Sequence, residues 1–194
     1  MNSFIKFFLD IKNYFWVKWS NFRFRHLERF NKETSEEDIV KNVDDIVKLT
    51  NRVLGNFKYK NDDITQLFDA IVPPPQTYQE YLNGLFEDDC DGFHSLVYHC
   101  LQMSNIKCYL LITTSKPASH CTLVFKLNDL WYVVDYNNIF GSCNTLKDTL
   151  KEFNTYFEST YTKNKKVVYN ALVDYNYSKG KFRLLNYNKV LKEN

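Results

Sequence analysis

A chain of 194 residues is long enough for one sizeable hydrophobic core, or one domain with an appended helix. Hydrophobic residues at 44% and charged residues at 25% exclude a disordered chain, and 17% aromatics with only five glycines point to a well-packed fold. A net charge of +2 indicates no polyanionic partner, so nucleic-acid binding is not expected without a local basic patch.

Residues 2–30 read as helix, because Phe4, Phe7, Phe8, Ile11 and Phe15 recur at helical spacing. Lys18, Arg23, Arg25 and Arg29 are interleaved with further aromatics. The expected arrangement docks the aromatic face on the body with the basic residues outside. A nucleic-acid arm, a membrane-surface arm and a protein-partner surface are the sharper alternatives. "KETSEEDIVKNVDDIVKLTNRVLGNF" predicts a helix capped at Thr34 or Ser35, lined by Ile39, Val43, Ile46 and Leu49, and stopped at Gly55. A short extended piece, "FKYKNDD", and a brief helix, "ITQLFDAI", follow. Pro73–Pro75 enforce an extended segment, and Thr77 is expected to cap a short helix.

From Cys90 the pattern changes. Phe93, Leu96, Val97, Cys100 and Leu101 form one helical stripe. Strand-like runs then follow at "KCYLLITT", "HCTLVFKL", "LWYVVDYN", "KVVYNALV" and "KFRLLNY", the last two separated by a turn at Ser178–Gly180. Helices first and consecutive strands after predict an α+β fold with an antiparallel sheet packed on the cysteine-bearing helix. The division expected is an N-terminal aromatic, basic segment over 1–33 and one globular unit over 34–194.

Cys90, Cys100, Cys108, Cys121 and Cys143 are odd in number and lack CxxC pairing, which reads as free thiols in a reducing, cytoplasmic compartment. The N-terminal "MNSFIKFFLDIKNYFW" lacks a cleavage site for a signal peptide, and no stretch approaches membrane-spanning length.

One cysteine stands out. Cys90 opens its helix, where unpaired N–H groups favour a thiolate. Glu87, Asp88, Asp89 and Asp91 surround it, where helix ends favour negative charge, and their side chains can face away from the sulfur. If "HCTLVFKL" and "LWYVVDYN" pair around a two-residue turn at Asn128–Asp129, Lys126 faces Trp131 and Thr122 faces Asp135. His120 and Asp135 then share a face as diagonal neighbours. A carboxylate there would hold the imidazole in one tautomer, with Asn137 as the alternative orienting group. Glu87, Asp89, Asp91 and Gly92 imitate the start of a calcium loop, but its twelfth position is Tyr98, which cannot chelate. The histidines and cysteines lack zinc-site spacing. No metal or cofactor is expected.

The run from "FKYKND" through "VPPPQTYQEYLNGLFEDDCDGFHSLVYHCLQ" to "SHCTLVFKLNDLWYVVDYN" resembles the transglutaminase-like superfamily, most nearly its bacterial and phage cysteine-proteinase-like branch. The resemblance covers residues 45–140. It implies a papain-like fold with Cys90 as nucleophile, His120 as base and Asp135 as orienter. It also implies an oxyanion site formed by the Cys90 N–H and an upstream side chain, for which Gln79 or Gln76 is the candidate. Two positions depart from the pattern: Asp88 stands where the family carries glycine, and Gly92 falls in the helix's first turn. The function implied is cysteine-dependent acyl transfer on a protein or peptide amide, with hydrolysis favoured over transamidation. The competing reading is a catalytically silent binding protein that uses its N-terminal aromatic helix.

Overall fold

The computed structural model describes residues 3–25, 34–60, 70–84, 86–116 and 119–193, without the side chains of Ser3, Phe4 and Glu193. It is an α+β protein. Six strands, β3 (Lys107–Ser115), β4 (Ser119–Leu127), β5 (Leu130–Asp135), β6 (Asn138–Cys143), β7 (Val167–Asn176) and β8 (Lys181–Leu184), form a sheet in the order β6-β5-β4-β3-β7-β8. Every neighbouring pair is antiparallel. A two-residue parallel ladder of β1 (Lys58–Tyr59) and β2 (Glu87–Asp88) leads into the cysteine-bearing helix.

The β4–β5 hairpin keeps the even register: Lys126 pairs with Trp131, and Leu123 with Val134. Its turn residues Asn128 and Asp129 have φ of 51° and 64°, a left-handed pair that suits strand twist and that Asn and Asp tolerate. Period-2 alternation gives the sheet two apolar faces. Cys108, Leu110, Ile112, Cys121, Leu123, Phe125 and Val134 pack with Phe93, Leu96, Val97 and Leu101 of α4 (Cys90–Met103). Leu111, Val124, Trp131, Val133 and Leu172 pack with Leu146, Leu150, Phe153 and Phe157 of α5 (Leu146–Tyr161). The sheet is therefore sandwiched between two helices.

Neither α5 nor β6 is anticipated by the sequence reading, nor is the terminal helix α6 (Tyr187–Glu193). The signal for α5 was present: Thr145 caps the amide of Asp148, and four apolar residues recur at helical spacing. Burying each of those four is worth about 2 kcal/mol before entropy. At Gly141, where φ is 97°, a Cβ would lie 2.8 Å from the Thr149 methyl, so glycine lets α5 approach β6.

The N-terminal half needs corrections. The helix expected from residue 36 is a single 3₁₀ turn at Glu36–Asp38, after which α2 spans Val43–Asn56 with Asn42 as its cap. Tertiary contacts break it. Asp38 is buried against Arg52 and accepts from Tyr78 Oη at 2.8 Å, while the Val40 amide donates to Ser104 Oγ at 2.9 Å. The short helix α3 (Pro74–Leu82) starts at Pro74, a residue pre-set for the first helical turn. Thr77 is therefore interior to it, donating back to the Pro74 carbonyl. Most of "ITQLFDAI" lies outside the described residues.

Helix α1 (Ser3–Arg23) lies across β8 and β7 in the reverse of the expected orientation. Phe7, Phe8 and Phe15 are exposed, while Asn13, Val17 and Ser20 face the body. Hydrogen bonds decide this. Asn21 both donates to and accepts from the Phe182 backbone, at 2.9 and 2.8 Å. Ser20 Oγ accepts from the Ile71 amide at 3.0 Å, and Tyr169 donates to Asp10.

Candidate active site

Cys90 is the first residue of α4, with Asp89 as N-cap accepting the Asp91 amide at 2.9 Å. The preceding Asp88 accepts the Asp89 amide at 2.8 Å. Positions 88 and 92 compensate each other in space. A Cβ at position 92 would lie 2.0 Å from Asp88 Oδ2, so the side chain at 88 occupies the space that glycine leaves at 92.

The half-buried Cys90 sulfur accepts from the Cys121 amide at 3.5 Å, which seats it beside the peptide bond joining His120 to Cys121. His120 Nε2 is 2.8 Å from Asp135 Oδ1. The second Asp135 oxygen accepts from Tyr161 Oη at 2.8 Å. Asp135 is fully buried, and His120 nearly so. Burial pushes the Asp135 carboxyl up. The His120 hydrogen bond and charge, aided by His94 and Tyr161, outweigh this and hold it below the usual carboxylate range. An ionised acceptor at Oδ1 requires a proton on His120 Nε2, so in the neutral ring the lone pair is on Nδ1. The imidazole is braced by aromatic rings, with Tyr161 at 4.7 Å and Phe157 at 6.3 Å between centroids.

The other predicted residues lie elsewhere. Asn137 is exposed in the β5–β6 turn, and its amide meets Asn51 at 3.4 Å. Gln76 Nε2 donates to Glu80 at 2.9 Å, and Gln79 is exposed. The helix α3 that carries them stacks Tyr78 on His99, more than two turns along α4 from the sulfur.

The carboxylates do not all turn away. One side-chain oxygen from each of Asp89 and Asp91 and the Cys90 sulfur lie within 4.8 Å of one another. Such a trio could ligate a cation, but capping the Asp91 amide already accounts for the position of Asp89.

His94 and Tyr161 are the contributors that sequence reasoning missed or left unassigned. Fully buried, His94 places Nδ1 at 2.6 Å from the Cys90 carbonyl and accepts the Tyr136 amide on Nε2 at 3.2 Å. That pattern requires a neutral ring protonated on Nδ1. It ties the first turn of α4 to the residue after Asp135, and Tyr136 adopts a left-handed φ of 51° there. Burial pushes the His94 pKa down to about 4. The unfolded chain therefore binds more protons between the ordinary value of about 6.5 and 4, so stability is complete above this window and falls as pH drops through it. The full loss is about 3 kcal/mol. Urea-unfolding midpoints should fall between pH 7 and pH 5, and His94→Gln should flatten that dependence. An equally steep dependence in the variant would assign it to other groups.

No family model matches the chain, and no curated protein matches it. Among solved structures it is similar to one described as a "Putative Cysteine Protease from Cytophaga hutchinsonii", at 8% identity and a TM-score of 0.39. The match covers 88% of this chain and 50% of that one, so this chain spans half the length of that protein.

Proposed function

We propose that the chain is a cysteine-dependent acyl-transfer enzyme of papain-like, transglutaminase-like build, acting on a protein or peptide amide. Residues 34–194 form its catalytic unit, and Cys90, His120 and Asp135 serve as nucleophile, base and orienter. The observations that support it are a helix-terminal sulfur that accepts the Cys121 amide and, one residue before that amide in the chain, a histidine whose Nε2 is held by a buried carboxylate.

In this mechanism Cys90 Sγ attacks the amide carbonyl while its proton passes to His120 Nδ1. The Cys90 N–H serves as an oxyanion donor. The imidazolium, stabilised by Asp135, protonates the departing amine as the C–N bond breaks, leaving a thioester on Cys90. Water, deprotonated by the same Nδ1, attacks the thioester, and the thiolate recovers the proton. Hydrolysis is the preferred outcome over transfer to a second amine.

A thiol-directed reagent tests the assignment. Iodoacetamide at neutral pH should label Cys90 well before Cys143, the other half-buried thiol, and His120→Ala should remove that preference. Burial pushes the Cys100 and Cys108 thiols up, so both should resist labelling. The competing reading, a binding protein without turnover, draws on the Asp89 and Asp91 carboxylates beside the sulfur and predicts equal labelling of Cys90 and Cys143. Asp89→Asn separates field from fold, because Asn caps a helix as well as Asp does. Losing that charge should speed alkylation of Cys90 about five- to tenfold. An unchanged rate would mean that the Asp89 charge does not reach the sulfur.

A further inference from the structure

Helix α1 presents the wrong face to solvent for a helix whose only task is packing. At 100° per residue, Phe7, Ile11, Tyr14, Phe15, Lys18 and Phe22 fall within one sector. Exposure in that sector is 59% for Phe7, 51% for Tyr14, 66% for Phe15 and 53% for Phe22. The body-facing sector is held by Asp10, Asn13, Val17, Ser20 and Asn21, largely through hydrogen bonds. Water should oppose this arrangement, since scattered exposed apolar residues are ordinary but a continuous aromatic stripe marks an interaction surface.

Charge identifies the occupant. Residues 3–25 carry Lys6, Lys12, Lys18, Arg23 and Arg25 against the single carboxylate Asp10, which accepts a hydrogen bond from Tyr169. The cations border the stripe directly: Lys18 Nζ lies 5.4 Å from the Tyr14 ring centroid, and the Arg25 guanidinium 4.0 Å from that of Phe22. A two-fold contact between copies would set these cations against one another. A bilayer with anionic headgroups matches both features, taking the phenyl rings at the acyl boundary while the basic heads remain among phosphates. No helix among the described residues is long and apolar enough to cross a membrane, so the geometry suits lying on the surface.

We propose that the exposed face of α1 is a membrane-surface docking site, selective for anionic lipid and independent of the acyl-transfer assignment. The full chain should co-sediment with vesicles of equal parts phosphatidylserine and phosphatidylcholine, but not with phosphatidylcholine alone, and added salt should release it. Lys12→Gln with Lys18→Gln should weaken binding about 30-fold. Phe15→Ser with Phe22→Ser should abolish it. All four side chains are exposed, so the circular dichroism and thermal midpoint of both variants should match the parent. Equal binding by the parent and both variants would overturn the proposal. So would a failure of the parent to bind vesicles, whether it self-associates, binds single-stranded DNA or does neither.

Discussion

Replacing His120 with alanine should slow acylation of Cys90 by an activated ester such as p-nitrophenyl acetate about 100- to 10,000-fold. Cys90→Ser should remove the initial burst altogether. The size follows from the site's electrostatics. The sulfur has the helix end and the Cys121 amide in its favour, but Asp89 and Asp91 stand within 4.8 Å. In the proposed mechanism the thiol gives its proton to a base, and His120 Nδ1 is the ring nitrogen left once Nε2 is bound to Asp135. Mass analysis of the acetylated protein provides the check, because Cys143 reports background reactivity within the same molecule. Acetylation of Cys90 in His120→Ala at the parent rate would refute the base assignment and leave only a solvent-accessible thiol.

With Asp135 in the proposed role, Asp135→Asn should lower turnover about 10,000-fold while leaving the fold recognisable. The carboxylate accepts on both oxygens, from His120 Nε2 and from Tyr161 Oη. An amide can replace only one of those acceptors with an oxygen. If its NH₂ meets His120, the imidazole must move its proton to Nδ1, and the nitrogen needed to deprotonate the thiol is lost. If the NH₂ meets Tyr161, the hydroxyl can rotate to accept, but the charge that supports the imidazolium is still gone. Tyr161→Phe removes only the second contact and should cost about 1 kcal/mol of stability and far less activity.

The pH dependence of stability tests the ionised state of Asp135. Its pKa is lowered in the folded state, so its contribution to stability is complete above the ordinary carboxylate value of about 3.9 and is lost only as pH falls through the folded value. The stability gap between parent and Asp135→Asn should therefore hold from pH 7 to about 4 and close in stronger acid. A gap that closes near pH 6 would instead trace it to a histidine.

Much of the site is legible in residue order because its parts are local. The Asn128–Asp129 turn, with period-2 alternation on either side, puts His120 and Asp135 on one face of the sheet without reference to the rest of the chain. Asp89 marks a helix start for the same reason: a capping side chain acts within its own turn. Tyr161 is invisible at that level. Its hydroxyl reaches Asp135 only because α5 crosses the outer face of the sheet between β6 and β7, a path set by burial of Leu150, Phe153 and Phe157. His94 is similarly hidden, since one ring serves both its own helix and a turn more than forty residues away.

The residue order by itself determined periodicity, turns and caps: which segments alternate, where the hairpin reverses and which cysteine begins a helix. Each follows from interactions spanning a few residues. Tertiary structure alone decided which face each element turned inward. For α1 it overrode the aromatic stripe, because Asp10, Ser20 and Asn21 find hydrogen-bond partners on β7, on β8 and at Ile71. For the segment after Ser35, burial of Asp38 between Arg52 and Tyr78 ended a helix that local propensity would have continued. At the sulfur, the carboxylates of its two chain neighbours lie near an atom they were expected to avoid, a closeness set within the first helical turn. A buried polar group must find its partner wherever the fold supplies one, and that requirement has no sequence period.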